Sequence, residues 1–314
     1  MNKKKIVITG GAGFIGSHIA EAWLEKGAEV HIIDNLRTGF LSNIEKLDGI
    51  IFHNGSITDK ELVFEATKGA DYLHHLAAVI SVPESIENPE ECIDINVGGL
   101  INILEAAKVN KIKKVVFSSS AAVYGDNPEL PKSIHSPVFP KSTYGITKLD
   151  GEFYLKMYHE QFGVNGIALR YFNVFGARQN PASQYAAAVP IFITKALKNE
   201  DITVFGDGNQ TRDFIYVKDV VKANILAAES EIEQGIYNVA TGVSITINDL
   251  ARMIVDITGS NSKIVHLEER PGDIKHSAAS ISETITELGF APDIPLKTAL
   301  EETISSYKSN GTKE

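Results

Sequence analysis

The sequence predicts an α/β protein in which a doubly wound parallel sheet is followed by a smaller, mixed C-terminal region. Three observations predict it. A strand-length apolar run, Ile6-Val7-Ile8, meets a glycine cluster, and beyond it Phe14, Ile15, Ile19, Trp23 and Leu24 recur at helical spacing. Strand-like and helix-like segments then alternate to about Arg170, the pattern of right-handed crossovers in a parallel sheet. Beyond about Asn173 the rhythm loosens into loops rich in Gly, Asn, Gln and Pro.

The first unit carries the most specific signal. Its glycines fall as Gly10-x-x-Gly13-x-x-Gly16, a spacing that lets the chain turn sharply, brings backbone close to a pyrophosphate and lets the helix that begins at Phe14 and Ile15 pack on the strand. Free N–H groups at the start of that helix, with its dipole, favour phosphate charge. A second strand, Val30 to Ile33, ends in Asp34, eighteen residues past Gly16, where a carboxylate would accept hydrogen bonds from ribose hydroxyls. With strand, helix and acid all in place, the motif reads as the dinucleotide fingerprint of a Rossmann-type domain. Asp34 would repel the 2′-phosphate of NADP and fit the free hydroxyls of NAD. Arg37 is the counter-argument, and it reads as a solvated loop arginine.

Further strands are expected at Ile50–Asn54, Tyr72–Leu76, Lys114–Ser118 and Asn165–Arg170, separated by helices at Lys60–Thr67, Pro89–Asn110 and Ser142–Gln161, with Gly163 near a C-cap. Ligands should therefore sit at the carboxyl ends of the strands. The C-terminal part suggests a helix near Ala186–Leu197, a strand Ile202–Phe205, the segment Asp213–Tyr216, a helix Val217–Ala228 and a strand Ile236–Val239. A helix Ile247–Ile257 capped by Thr246 and a last helix Leu296–Lys308 complete it. The expected division is residues 1–173, rejoined by segments near 213–240, against 174–212 and 241–314.

The bulk properties exclude several classes. A formal net charge of −10 over 314 residues argues against nucleic acid or an anionic membrane as partner. The apolar run after Met1-Asn2-Lys3-Lys4-Lys5 stops at Thr9-Gly10, too short for a signal peptide, and no run of about eighteen apolar residues would span a membrane. The single cysteine, Cys92, excludes an internal disulfide and fits a reducing cytoplasm, and beside Ile93 and Ile95 it reads as a structural thiol. The nine histidines, including His74-His75, lack the spacing of a zinc site, so no metal is expected.

The chemical centre is the pair of segments Ser118-Ser119-Ser120-Ala121-Ala122-Val123-Tyr124-Gly125 and Tyr144-Gly145-Ile146-Thr147-Lys148. On a helix, Tyr144 and Lys148 stand four residues apart on one face, close enough for the ammonium to act on the phenol. A tyrosine of ordinary pKa near 10 is a poor base at pH 7, but a nearby lysine and an oxidised nicotinamide favour its phenolate. A strand-end serine can share the proton and orient the substrate oxygen. These are the needs of hydride transfer from a carbinol.

The segments TGGAGFIGSH, DNLRTG, HLAA, SSSAAVYG, YGITK, RYFNVFG, TRDFIYVKD and YNVATG, in this order, give the chain a resemblance to the extended short-chain dehydrogenase/reductase family over almost its whole length. Within it, the chain is most similar to the nucleotide-sugar 4-epimerases of the UDP-glucose and UDP-N-acetylglucosamine group. The resemblance implies that Ser120, Tyr144 and Lys148 are catalytic, Lys148 also holding the nicotinamide ribose. It implies NAD contacts by Gly10, Gly13, Phe14, Ile15, Gly16, Asp34 and Asn35, then by Ser56, Ile57, Leu76, Ala77, Ala78 and Phe172. It implies UDP-sugar contacts by Ser81, Asn173 and Val189, by Arg212 and Arg270 on the diphosphate, and by Ser277 beside the sugar.

Two positions depart from the family pattern. Ser56 stands where an acid commonly binds adenine, and Ile80 stands where the UDP-galactose enzymes often carry lysine. The segment Ser81-Val82-Pro83-Glu84-Ser85 more closely resembles epimerases of N-acetylated sugars. Ser277 falls where the family places a residue that limits room at the sugar's 2-substituent, and a small residue admits an N-acetyl group. The implied reaction removes the 4-hydroxyl proton with Tyr144 and Ser120 while C4 gives its hydride to NAD, turns the 4-keto sugar over, and returns the hydride to the opposite face. The preferred pair is UDP-GlcNAc and UDP-GalNAc, with UDP-glucose and UDP-galactose next.

Three alternatives stay open. A 4,6-dehydratase would need an Asp-Glu pair where this chain has Ala121-Ala122. A UDP-glucuronate 4-epimerase or decarboxylase would need contacts for a C6 carboxylate. A non-catalytic NAD-binding sensor would have no use for Ser120, Tyr144 and Lys148 together. By analogy with the family, helices Pro89–Asn110 and Ser142–Gln161 would pair across the two-fold axis of a homodimer.

Overall fold

The structure, a computed structural model, describes residues 3–181, 188–269 and 275–311. Seven strands form one sheet: Lys5–Thr9 (β1), Glu29–Asp34 (β2), Ile50–Asn54 (β3), Tyr72–His75 (β4), Lys114–Ser120 (β5), Gly166–Tyr171 (β6) and Gln234–Val239 (β7). Their order is β3-β2-β1-β4-β5-β6-β7 and every pairing is parallel. This is the Rossmann arrangement. The order reverses between β1 and β4, so the ligand crevice opens at their carboxyl ends.

The longer helices are Phe14–Glu25 (α1), Lys60–Ala66 (α2), Gly99–Asn110 (α3), Thr143–Phe162 (α4), Ala188–Leu197 (α5), Val217–Glu229 (α6), Ile247–Thr258 (α7) and Leu296–Gly311 (α8). Strand side chains alternate between faces, and the two cores follow that alternation. Ile6, Ile8, Ile32 and Val116 meet Ile19 and Trp23 of α1 and Val220 and Ala223 of α6. Val7, Ile33, Leu73, Val115 and Phe117 meet Val63 of α2, Leu100, Ile103 and Leu104 of α3 and Leu155 of α4.

A third core holds the C-terminal region. Ile247, Leu250, Ala251 and Ile254 form the buried stripe of α7 and pack with Phe192 and Ile193 of α5 and Leu300 and Ile304 of α8. Each of these Leu, Ile and Phe side chains contributes about 1.5–3 kcal/mol on leaving water. Thr246 starts α7, its Oγ1 accepting the Asp249 N–H at 3.0 Å, and Gly259 ends it with φ +66°.

Four segments differ from the sequence expectation, each for a physical reason. β5 runs on to Ser120 rather than stopping at Ser118, because Ser118, Ser119 and Ser120 pair with Leu169, Arg170 and Tyr171 of β6; pairing outweighs the weak strand preference of serine. The helix expected over Pro89–Asn110 contains a π-turn at Asp94–Gly98, where Asn96 turns inward and bonds both backbone groups of Val79. Val82–Glu87 is a short helix capped by the Ser81 hydroxyl, which accepts from Glu84 N–H at 3.2 Å. Ile264–Leu267 is a strand paired in parallel with Ile202–Phe205, a contact between remote segments that no local pattern announces.

Candidate active site

The glycine turn closes on itself. Gly10 adopts φ +69°, and a Cβ there would lie 2.8 Å from the Ala77 nitrogen; a Cβ at Gly16 would lie 2.3 Å from the Gly10 oxygen. Gly13 donates its N–H to Gly10 O at 3.1 Å. Thr9 Oγ1 accepts from the N–H groups of Leu76 and Ala77 at 3.2 and 3.3 Å, binding the β4 turn, with half-buried Ala78 next to it, to the same strand end. Phe14 and Ile15 open α1 and pack toward the C-terminal core.

Asp34 is buried, accepting from Ala12 N–H at 2.9 Å and Leu36 N–H at 2.8 Å. Burial pushes its carboxyl up, and the two N–H bonds oppose that. A carboxylate retains lone pairs for ribose hydroxyls after those two bonds. Bare backbone at Gly10, Gly13 and Gly16, a helix N-terminus and Asp34 together fit NAD.

Asn35 accepts from Arg37 N–H, and Ser56 accepts from the Thr58 N–H and hydroxyl at 3.2 and 2.8 Å. Ile57 is buried against α3. Arg37 is exposed, as its loop position suggested, and it carries ion pairs that the loop does not announce. Its guanidinium grips Glu91 at 2.6 and 3.0 Å and Glu84 at 2.7 Å.

The three serines at the end of β5 divide by strand alternation. Ser118 donates to the Tyr171 hydroxyl at 3.0 Å, and Ser119 points the other way and donates to Glu152 Oε1 at 2.5 Å. Ser120 accepts from Ala122 N–H at 3.1 Å and lies near enough to the Tyr144 phenol to draw its pKa down. The sequence singled out Ser120 among the three, and only Ser120 meets Tyr144.

The helix α4 begins with Ser142, whose hydroxyl accepts from Gly145 N–H at 3.1 Å. Its first turn is held from outside as well. Tyr144 N–H donates to Ser85 Oγ at 3.1 Å; Thr147 Oγ1 donates to Tyr144 O at 2.9 Å and accepts from Asn96 Nδ2 at 3.0 Å. Ser85 and Asn96 were missed in the sequence because neither carries a motif; a buried Asn inside a helical run was the one available signal.

Lys148 Nζ lies 5.7 Å from the Tyr144 ring centroid and 4.9 Å from that of Phe117. Burial pushes the phenol up, and the Ser120 hydroxyl pulls it back in part. Burial also lowers Lys148 to about 8. In this dry corner desolvation opposes the charged form of each. His75, bonded to Thr9 Oγ1 at 2.8 Å, is lowered to about 3 by burial and by Lys148. It stays neutral.

Behind the corner lies a buried ion pair. Arg170 of β6 donates Nε to Glu152 Oε1 at 2.8 Å and Nη2 to Oε2 at 2.7 Å, with side-chain exposures of 4% and 2%. Arg170 Nη1 also reaches the Tyr124 hydroxyl at 2.9 Å, and that hydroxyl donates to Asn238 Oδ1 at 2.6 Å. Asn238 in turn donates to the carbonyls of Lys132 and Ser280. One network thus ties the helix of Tyr144 to the strand of Ser120 and to the segment that follows Ser277. Phe172 packs beside Tyr124 with Ala240 and Ala279.

On the far side, Asn173 donates Nδ2 to Asp213 O at 2.9 Å, which places it beside Arg212. Arg212 pairs with Ile245, and Ser277 N–H donates to Thr211 O at 3.1 Å, so Arg212 and the half-buried Ser277 belong to one small ladder. A cavity of about 240 Å³ adjoins it, lined by Phe205, Asp207, Gln210, Glu269, Lys275 and His276 among others, and no local pattern announces it. Ser81 caps its helix at the β4 end of the crevice. Val189 is 1% exposed and its side chain is committed to the C-terminal core. Arg270 lies outside the described residues.

The model of the NAD dependent epimerase/dehydratase family matches residues 6–240. A UDP-N-acetylglucosamine 4-epimerase from Methanobrevibacter ruminantium M1, solved in complex with UDP-N-acetylmuramic acid, is 44% identical, with a TM-score of 0.94 over 99% of this chain and 100% of that one. A Methanocaldococcus jannaschii protein provisionally named UDP-glucose 4-epimerase is 41% identical over 97% of this chain and 99% of its own. A UDP-N-acetyl-alpha-D-glucosaminuronate decarboxylase of Bacillus cytotoxicus is 35% identical over 98% of each.

Proposed function

We propose a reaction for a chain that belongs to the NAD dependent epimerase/dehydratase family: inversion of C4 in a UDP-sugar, with UDP-GlcNAc and UDP-GalNAc as the preferred pair. The protein is an NAD-dependent nucleotide-sugar 4-epimerase. The observation that carries the substrate reading is the ladder that sets half-buried Ser277 beside Arg212, a small side chain next to the arginine proposed for the diphosphate. The 44% identity to a UDP-N-acetylglucosamine 4-epimerase supports it.

Bound NAD supplies the acceptor and donor for the C4 hydrogen. Tyr144 takes the 4-hydroxyl proton and later returns it, with Ser120 sharing that proton and orienting the oxygen. Lys148, a cation at neutral pH and about half neutral near 8, stabilises the phenolate as it forms. Arg212 and Arg270 hold the diphosphate as bidentate forks, and Asn173 braces the sugar side, so the 4-keto sugar can turn over without leaving. Val189 contributes to the wall behind these contacts. Residues 174–212 and 241–314 make up the substrate-binding region of this reading.

A homodimer is part of the same reading. Ile146, Phe153 and Met157 line the outer face of α4 at 47%, 63% and 36% exposure, an apolar stripe suited to the same helix of a second copy. The partners are then the UDP-sugar and a second chain, in the cytoplasm. Among the described residues no helix is long and apolar enough to cross a membrane.

The test is to incubate the protein with UDP-GlcNAc, UDP-glucose and UDP-glucuronate, without reductant, and to resolve the products by proton NMR. The C4 epimer of UDP-GlcNAc is expected. Epimerisation of UDP-glucose alone removes the pocket reading, and carbon dioxide release from UDP-glucuronate moves the chain toward its decarboxylase relative.

A further inference from the structure

In the sheet, β1 lies between β2 and β4. Its carboxyl end is the glycine turn, so a contact that joins the loop after β2 to the segment after β4 bridges the two strands that flank β1, where the crevice opens. Arg37 does this. It follows Asp34 of β2 by three residues, and its guanidinium is held by Glu84 and Glu91, which lie beyond β4. The span is about two strand spacings, roughly 10 Å.

The other end of the Arg37 loop is already fastened. Phe40 N–H and Asn43 Nδ2 both donate to Ala12 O, at 3.0 and 2.9 Å, so the loop is pinned to the glycine turn itself. On the β4 side, Glu84 belongs to the helix whose next residue, Ser85, accepts the Tyr144 N–H. The three-residue ion cluster therefore closes a ring around the crevice, and one side of that ring is the helix that steadies Tyr144.

We propose that Arg37, Glu84 and Glu91 are positioning residues that latch the crevice over NAD and slow its release. A reaction that reduces its cofactor and re-oxidises it in the same turnover fails whenever the reduced cofactor leaves first. A lone surface ion pair contributes little, but here two carboxylates share one fork, and breaking both is needed to open the ring. The proposal requires NAD binding and is independent of which sugar is bound.

The experiment is exchange of bound NAD for radiolabelled NAD in the holoenzyme, at low salt and at about 0.5 M sodium chloride. Relative to wild type, E84Q/E91Q should exchange about tenfold faster at low salt. Wild-type exchange should quicken with salt, whereas that of the double variant should not. The charge-swapped triple R37E/E84R/E91R should return toward the slow rate, which a loss of bulk structure could not do. Equal exchange in wild type and double variant, or a triple variant as fast as the double, overturns the latch.

Discussion

The corner that holds Ser120, Tyr144 and Lys148 and the ladder that holds Arg212 and Ser277 are built in opposite ways. The first stands on continuous strands β5 and β6 and the twenty-residue helix α4, cross-tied by a buried, bidentate ion pair. The second is a two-residue strand pair, Thr211–Arg212 with Ile245–Thr246, extended by a single bridge from Thr211 to His276. The groups proposed for proton transfer are fixed from several sides; the proposed sugar wall hangs on a few backbone bonds. Reaction type should therefore be hard to change and sugar choice easy.

The sharpest break in this comparison is at Tyr144. Tyr144→Phe should lower turnover by at least about a thousandfold, since it removes both the base and its partnership with Ser120, while NAD titration stays near wild type. An active Phe variant would remove the assignment of the base.

Next in size is the pair behind the corner. Glu152→Gln should cost about 3–5 kcal/mol in denaturant unfolding by leaving Arg170 buried and unpaired, and Glu152→Leu with Arg170→Met should recover part of that. A loss below about 1 kcal/mol would show that the corner does not depend on the network.

A smaller effect is expected on the ladder. Ser277→Tyr should disfavour UDP-GlcNAc against UDP-glucose by about 10- to 200-fold in kcat/KM, with unfolding little changed. Equal loss for both sugars would place Ser277 outside the pocket.

The smallest effect concerns Lys148, whose pKa is lowered from 10.5 to about 8 by burial. The folded state binds fewer protons than the unfolded state between those values, so the penalty of holding the cation is full below pH 8 and is relieved as pH rises toward 10.5. Lys148→Met should therefore stabilise the NAD-free protein at pH 7, by at most about 3 kcal/mol, with the gain fading above pH 8. It should lose turnover at the same time. Destabilisation at pH 7 would contradict the desolvated corner.

These contrasts also explain what was legible in the sequence. The glycine turn, Asp34 and the Tyr144–Lys148 spacing are local patterns whose physics is complete within a few residues, and α7 shows its cap and stripe in the same way. Ser120 was legible from its place in a motif. Glu152 and Arg170 were not, because each reads as an ordinary surface charge until β6 and α4 are laid together. The partners of exposed Arg37 were hidden for the same reason, its carboxylates lying 47 and 54 residues away. The parallel pairing of Ile264–Leu267 with Ile202–Phe205 depends on the packing of α7 and carries no local signal.

The most direct test of the account is the fate of the hydrogen on C4. UDP-GlcNAc incubated with the protein in heavy water should yield its C4 epimer with protium retained at C4, because Tyr144 exchanges only the hydroxyl proton. Deuterium at C4 of the epimer would contradict the account, since it would mean that the carbon had been deprotonated to solvent.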